Sequence, residues 1–311
     1  MAASAPTVGC AALHRATRYP GWRPLLCEHH RVEPRTAFVL GGGGRLGAVE
    51  VGMLQALTAS AIHPDIVLGT SIGAVNGPAF CADPTPGGLA TLEEVWLEVE
   101  SEGVFGGGVL ERMRHMARSR TSIQSADALE GLLHRSLPQS FSELAVEFAC
   151  VAACIESAHE TWFDDGPLVD AVLASCAVPG LLPAVRIGDR HYIDGGVVDS
   201  IPVRRALEAG ATRVYVLQVG RIEEPLRPPR WPHEVAVVAF EVARRHSFNS
   251  TLASLPGDVE VHVLPTGSRP PRPTDWRQLR YSDFSDVAGG IRRAREATTA
   301  YLEMHAGGEA P

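Results

Sequence analysis

This sequence of 311 residues lacks several things, and each absence closes off a class of protein. No uninterrupted apolar stretch reaches the roughly 18 residues needed to cross a bilayer, so no transmembrane helix is expected and any membrane contact would be peripheral. Residues 1–36 hold charges and prolines but no apolar core of the kind a secretory leader carries, which predicts no targeting segment. There is no basic excess. The chain has 28 Lys and Arg against 36 Asp and Glu, for a net charge of −8, whereas a nucleic-acid binder usually shows the opposite balance. The six cysteines, Cys10, Cys27, Cys81, Cys150, Cys154 and Cys176, contain no C-x-x-C pair. That predicts reduced thiols and a cytoplasmic location rather than a disulfide framework. His29 and His30 lie near Cys27, but no second cluster follows, so no metal is expected. No internal repeat is visible.

What is present is organised around Gly69-Thr70-Ser71-Ile72-Gly73. The apolar run Ile66–Leu68 precedes it, and the small, apolar run Ala74–Phe80 follows. A buried strand, a tight turn and a helix are the simplest reading. Ser with Gly two residues to either side is the pattern of a nucleophile elbow. A nucleophilic Ser at a sharp strand-to-helix turn is held in a strained conformation, and a Cβ at either flank would crowd it. The turn then holds the hydroxyl over the end of the sheet, with a helix N-terminus behind it.

Upstream, Ala37–Leu40 reads as a short buried strand running into Gly41-Gly42-Gly43-Gly44-Arg45-Leu46-Gly47. Val49, Met53, Leu54, Ala56 and Leu57 then mark the buried side of a helix ending near Ser60. Strand, glycine loop, helix and strand make a βαβ unit. Gly42, Gly44 and Gly47 also fit the G-x-G-x-x-G of a dinucleotide loop. Against that use, the second strand ends in Gly69-Thr70-Ser71 rather than in an acidic residue for a ribose hydroxyl. Free N–H groups at a helix start hold a developing oxyanion as readily as a phosphate. Two loops that follow adjacent parallel strands place their tips side by side at the carboxyl edge of the sheet.

The remaining chain supplies further elements. Leu92, Val95, Trp96 and Val99 follow helical spacing, and Leu110–Arg120 interleaves methionines with arginines as a solvated or lipid-facing helix. Ser125–Leu137 reads as a helix with Ser125 as N-cap. Glu147–Ile155 and Glu160–Phe163 read as strands, and a helix follows Asp165-Gly166-Pro167 as far as Ala177. The run Ala174-Ser175-Cys176-Ala177-Val178-Pro179 leads to Pro183 and predicts a rigid turn lining a site wall. Arg190–Ile193 is a strand closed by Asp194-Gly195-Gly196. Pro202–Ala209 is a helix, Arg213–Val219 a strand, His233–Leu255 a helix with Val235, Val238, Ala239 and Val242 on one stripe, and Val259–Leu264 a strand. Phe284, Val287, Ala288, Ile291, Ala294, Thr298, Tyr301 and Leu302 trace a terminal amphipathic helix expected to pack on the sheet.

A glycine loop after the first strand, G-x-S-x-G at the next βα turn, Ala-Ser-x-Ala-x-Pro-x-x-x-Pro, and then D-G-G resemble, in that order, the patatin-like phospholipases. The resemblance covers about residues 36–220. It implies a three-layer α/β fold with a mostly parallel central sheet flanked by helices. It also implies an irregular extension over 1–35, a catalytic core over 36–220, and the remainder of the same domain over 221–311. It makes Ser71 the nucleophile and Asp194 the base of a dyad, with the amides of Gly43 and Gly44 in the oxyanion hole. Gly42, Arg45 and Gly47 complete the loop, Gly69 and Gly73 the elbow, and Gly195 and Gly196 the Asp motif. The family often has Lys or Arg directly before the last loop glycine. Leu46 takes that place here and Arg45 sits one earlier, either in substitution or with the helper charge absent. The function implied is a lipid acyl hydrolase that needs no cofactor, takes a lipid or ester substrate and binds no nucleic acid. The alternatives are an esterase with a Ser-Asp-His triad, drawing on His233, His246, His262 or His305, and a non-catalytic lipid-binding protein.

Overall fold

The computed structural model describes residues 35–102, 125–179, 181–219, 232–267 and 286–306, together with 226, 228 and 229. The expectations for 1–34 and for Leu110–Arg120 lie outside the described residues.

Two strands set the layering. In β1 (Arg35–Leu40) and β2 (Ile66–Thr70) the central residues are buried on both faces. Because side chains alternate along a strand, Phe38, Leu40 and Val67 enter one core with α1 (Ala48–Ala59) and α2 (Ile72–Ala82). Ala37, Val39, Ile66 and Leu68 enter a second core on the opposite face. Helices therefore cover both sides of the sheet, the arrangement expected of strands that read as continuous apolar runs.

Among the described residues, eight strands form one sheet. β1 is central and parallel to both β2 and β7 (Ala211–Leu217), and β7 is parallel to β8 (Glu260–Val263). On the other side β2 is parallel to β3 (Glu147–Cys154). Beyond that the sheet turns antiparallel. β4 (His159–Phe163) and β6 (Arg190–Asp194) both pair with β3, and β5 (Val185–Ile187) pairs with β6.

The pairing along β3 decides where the site forms. β4 occupies one edge of β3, so β2 and β6 share the other. β2 takes Glu147 to Val151, ending with Thr70 opposite Val151. β6 takes Ala152 to Cys154, with Asp194 opposite Ala152. The C-terminal ends of β2 and β6 therefore meet head-on, one residue apart along the same edge.

The helices are α3 (Pro86–Glu102), α4 (Asp127–Ser136), α5 (Leu168–Ser175), α6 (Val203–Glu208), α7 (Pro232–Ala253) and α8 (Val287–Ala306). Three details differ from the sequence reading. α4 starts two residues late; Ser125 Oγ still accepts the Asp127 N–H at 3.2 Å, but the residue at the cap is Ala126. α5 stops at Ser175 rather than Ala177. α8 packs chiefly along α1, where a Cβ on Gly52 would lie 2.1 Å from the Ile291 carbonyl oxygen, and it touches the sheet through Tyr301, whose hydroxyl meets His262 of β8. On α7, Val235 and Val242 of the noted stripe are each 52% exposed.

Candidate active site

Ser71 follows β2 directly and caps α2 with φ 55° and ψ −118°. A side chain with positive φ is strained by about 1–3 kcal/mol, and such strain gathers where geometry serves a function. The flanking glycines make the turn possible. A Cβ on Gly73 would stand 2.3 Å from the Leu40 carbonyl oxygen, and one on Gly69 would stand 2.5 Å from the Gly73 carbonyl oxygen. Only glycine lets the first turn of α2 sit this close to the end of β1.

The Ser71 hydroxyl donates to Asp194 Oδ2 at 2.6 Å, across 123 residues of sequence. Ser71 is 9% and Asp194 5% exposed. The second carboxylate oxygen of Asp194 accepts the Gly196 N–H at 2.7 Å. Burial raises the Asp194 carboxyl from an ordinary 3.8 to about 6, while the hydrogen bonds from Ser71 and Gly196 pull the other way. Desolvation wins because a buried carboxylate loses more water than two donors replace. Gly195 lets the turn after β6 press against β3; a Cβ there would lie 2.1 Å from the Val151 carbonyl oxygen. The Asp199 N–H closes this turn onto Gly195 O, and Thr70 Oγ1 donates to Asp199 O at 2.9 Å, tying it to the elbow.

The glycine loop arrives beside the same hydroxyl. A Cβ on Gly42 would be 3.5 Å from Ser71 Cβ. The amides of the loop are not equivalent. Gly41 donates to Leu217 O and Gly42 to Ser200 O, both at 3.0 Å. Gly42 therefore anchors the loop and does not offer its N–H to a ligand. Gly43 is exposed and Gly44 opens the single 3₁₀ turn Gly44–Gly47 that leads into α1. Leu46 packs against the main core, so that position supplies no charge. Arg45 lies in the 3₁₀ turn, with its side chain outside the described residues.

Residues that the sequence reading did not single out brace the glycine loop. Glu50 of α1 is fully buried, and burial holds its carboxyl well above the carboxylate range despite the hydrogen bond from Asn76. Asn76 Nδ2 donates to Glu50 Oε2 at 2.7 Å and to Gly47 O at 2.9 Å, and its Oδ1 accepts from Trp96 Nε1 at 2.9 Å. One amide side chain on α2 thus fastens the end of the glycine loop. The available signal was a carboxyl at position 50 on the same helical face as Met53, Leu54 and Leu57.

Among the histidines considered for a triad, none with a described side chain bonds to Asp194. His262 is on β8, at the far edge of the sheet, between Glu260 and Tyr301. His305 bonds to the Tyr301 carbonyl oxygen at 2.7 Å, and His246 sits exposed on α7. The His233 side chain is outside the described residues. The described thiols, Cys81, Cys150, Cys154 and Cys176, are free and buried. Among the described residues no group of three or more His, Cys, Asp or Glu is arranged to hold a metal, and no helix is long and apolar enough to cross a membrane.

Comparison with known proteins places this arrangement in context. A family model described as "Patatin-like phospholipase" matches residues 38–207, which include Gly41–Gly47, Ser71 and Asp194. The chain is 31% identical over 193 residues to "Patatin-like phospholipase domain-containing protein ZK370.4" of Caenorhabditis elegans, covering 60% of this chain and 14% of that protein. It is 25% identical over 218 residues to "Lysophospholipase nte1" of Aspergillus terreus, covering 68% and 14%. It thus spans about one seventh of the length of either relative. Among solved structures, VipD from Legionella pneumophila aligns over 88% of this chain and 67% of its own, at 15% identity and a TM-score of 0.43.

Proposed function

The chain belongs to the patatin-like phospholipase family, and on that premise we propose that it is a serine-dependent lipid acyl hydrolase working through Ser71 and Asp194. The observation that carries the reading is the 2.6 Å hydrogen bond between Ser71 Oγ and the buried Asp194 carboxyl. Ser71 Oγ attacks an ester carbonyl while Asp194 Oδ2 takes its proton. The carbonyl becomes a tetrahedral oxyanion, held by the N–H groups of Gly43 and Gly44. The C–O bond to the leaving alcohol breaks, the alcohol takes up the proton, and an acyl-serine remains. Water then attacks that ester with Asp194 again as base, releasing the fatty acid and restoring the hydroxyl.

A carboxylate is a weak base towards an alcohol, so the raised proton affinity of Asp194 favours this chemistry by moving the base towards neutral pH. The oxyanion donors supply the rest, each typically worth about 10²–10³ in rate. Phospholipids and lysophospholipids are the substrate class to test first, since one relative is named a lysophospholipase. The cytoplasmic location, peripheral membrane contact and the division at about residue 220 are part of the same proposal.

The test is labelling with a fluorophosphonate probe followed by a panel of phospholipid, lysophospholipid and neutral-lipid esters. Wild type should label at Ser71 and hydrolyse at least one lipid ester, while Ser71→Ala and Asp194→Asn should do neither. A wild-type protein that neither labels nor hydrolyses any ester refutes the reading and leaves the non-catalytic lipid-binding alternative.

A further inference from the structure

Three consecutive residues at the C-terminal end of α5 touch the backbone of both members of the pair. Ser175 Oγ accepts the Ser71 N–H at 3.0 Å. Cys176 Sγ donates to the Ser71 carbonyl oxygen at 3.1 Å. The Ala177 carbonyl oxygen accepts the Asp194 N–H at 3.0 Å. We infer that Ser175-Cys176-Ala177 is a positioning clip that fixes the elbow and the Asp strand relative to one another, and that Ser175 and Cys176 set the rate of the chemical step without touching substrate.

The inference rests on the Ser71–Asp194 reading and goes beyond it. β2 and β6 meet end to end along β3, so no ladder hydrogen bond runs between them. Each strand is fixed to β3, but the turns beyond their ends need a separate restraint. Residues 175–177 supply one, attached to Ser71 on one side and to Asp194 on the other. The clip is stiff for a visible reason. Leu168, Val169 and Ala171–Ser175 are all buried, so the last turn of α5, which leads into the clip, is enclosed. Ser175 itself is fully buried and Cys176 is 7% exposed.

The donor and acceptor chemistry is consistent. Ser71 is strained at positive φ, and its N–H points at a side-chain oxygen rather than at another backbone group. Its carbonyl already accepts the Ala74 N–H at 2.8 Å, and the thiol adds a second donor. Burial, then the charge of Asp194 beside it, pushes the Cys176 thiol upward, so it keeps the proton that it donates. An unpaired buried N–H costs more than a lost hydrogen bond gains. Without Ser175 the elbow is therefore pressed to rotate, and a misplacement of about 1 Å is enough to lower a rate by about 10².

The experiment uses the full chain and four variants: Ser175→Ala, Cys176→Ala, Cys176→Ser and Ser71→Ala as the unlabelled control. Labelling rates are measured against fluorophosphonate concentration and pH, with circular dichroism confirming the fold. Hydrogen exchange of the Ser71 amide is followed in parallel. Ser175→Ala should lower the maximal labelling rate about 10- to 100-fold while the half-saturating concentration stays within about twofold. Its acid limb should move above that of wild type, because a weaker Ser71 hydrogen bond no longer holds the carboxyl down. Cys176→Ala should lose about tenfold, and Cys176→Ser, which keeps a donor, should recover most of it. The Ser71 amide should exchange faster in Ser175→Ala than in wild type.

Folded Ser175→Ala and Cys176→Ala proteins with wild-type rates and the wild-type acid limb overturn the clip. Equal loss in Cys176→Ala and Cys176→Ser also counts against it, since that would make the contact one of packing. If Ser175→Ala does not fold, the two Cys176 variants decide. If wild type does not label at all, the dyad reading fails, and the exchange of the Ser71 amide still decides whether the clip exists.

Discussion

Acidification is the sharpest probe of Asp194. A general base must be ionised, so the labelling rate of Ser71 should follow the ionised fraction of this carboxyl. Burial places its midpoint at about 6 instead of 3.8. About nine tenths of the groups are then ionised at pH 7 and about one tenth at pH 5, so the rate should fall nearly tenfold between them. A carboxyl at its ordinary value would stay about nine tenths ionised at pH 5, and the rate would scarcely change. The assay is the initial fluorophosphonate labelling rate between pH 4.5 and 8 at constant ionic strength, with circular dichroism confirming the fold at each point. The same burial acts on stability. The folded state binds the proton more tightly than the unfolded chain, so this group's contribution to stability is fully present below about pH 4 and is lost as pH rises towards about 6. The interval from 3.8 to about 6 corresponds to about 3 kcal/mol at neutral pH. Asp194→Asn should therefore abolish labelling and also raise the thermal midpoint at pH 7, with the gain vanishing near pH 4. A labelling rate that drops less than twofold between pH 7 and 5 refutes the assignment of a desolvated base.

Other perturbations test neighbouring features. Glu50→Gln should stabilise the fold at neutral pH, because burial penalises the charged carboxyl, whereas a neutral amide carries no such charge. The gain, read in urea titrations, should grow as pH rises above the ordinary carboxylate range and be absent below it. Gly195→Ala should unfold or misassemble the protein, since its methyl would meet the Val151 carbonyl oxygen at 2.1 Å; soluble yield and thermal midpoint report this. Gly42→Ala should fold, because its methyl meets Ser200 Oγ at 3.2 Å and Ser71 Cβ at 3.5 Å, but labelling should slow as the nucleophile is crowded. Ser71→Gly should raise stability by about 1 kcal/mol in urea unfolding by relieving the positive φ, with all labelling lost.

Much of this fold is legible in the sequence because its central strands are apolar throughout and its glycines stand where chains approach closely. Ala37–Leu40, Ile66–Leu68 and the stripe from Val49 to Leu57 follow from periodicity alone. Ser71 follows from its flanking glycines. Asp194 does not: D-G-G is an ordinary turn, and only its order after the other motifs marks it. No local pattern reveals that β2 and β6 share one edge of β3, since that depends on β4 occupying the other. The roles of Ser175, Cys176 and Asn76 are equally hidden, because each works through a contact made far away in the chain. The packing of α8 was read one layer off, since an amphipathic stripe records that a face is covered and not by what. Here the notch at Gly52 admits α8 against α1.

The shared edge of β3 also separates what the chain can vary from what it cannot. Ser71 and Asp194 are mounted as two trains halted nose to nose on a single rail, and the gap between them depends on where each stops and on the clip that ties them. Of the residues between them, β3 and Ser175-Cys176-Ala177 hold that spacing. Insertions or deletions in the connecting loops outside those segments should therefore reshape the mouth of the proposed site while Ser71 and Asp194 stay in register.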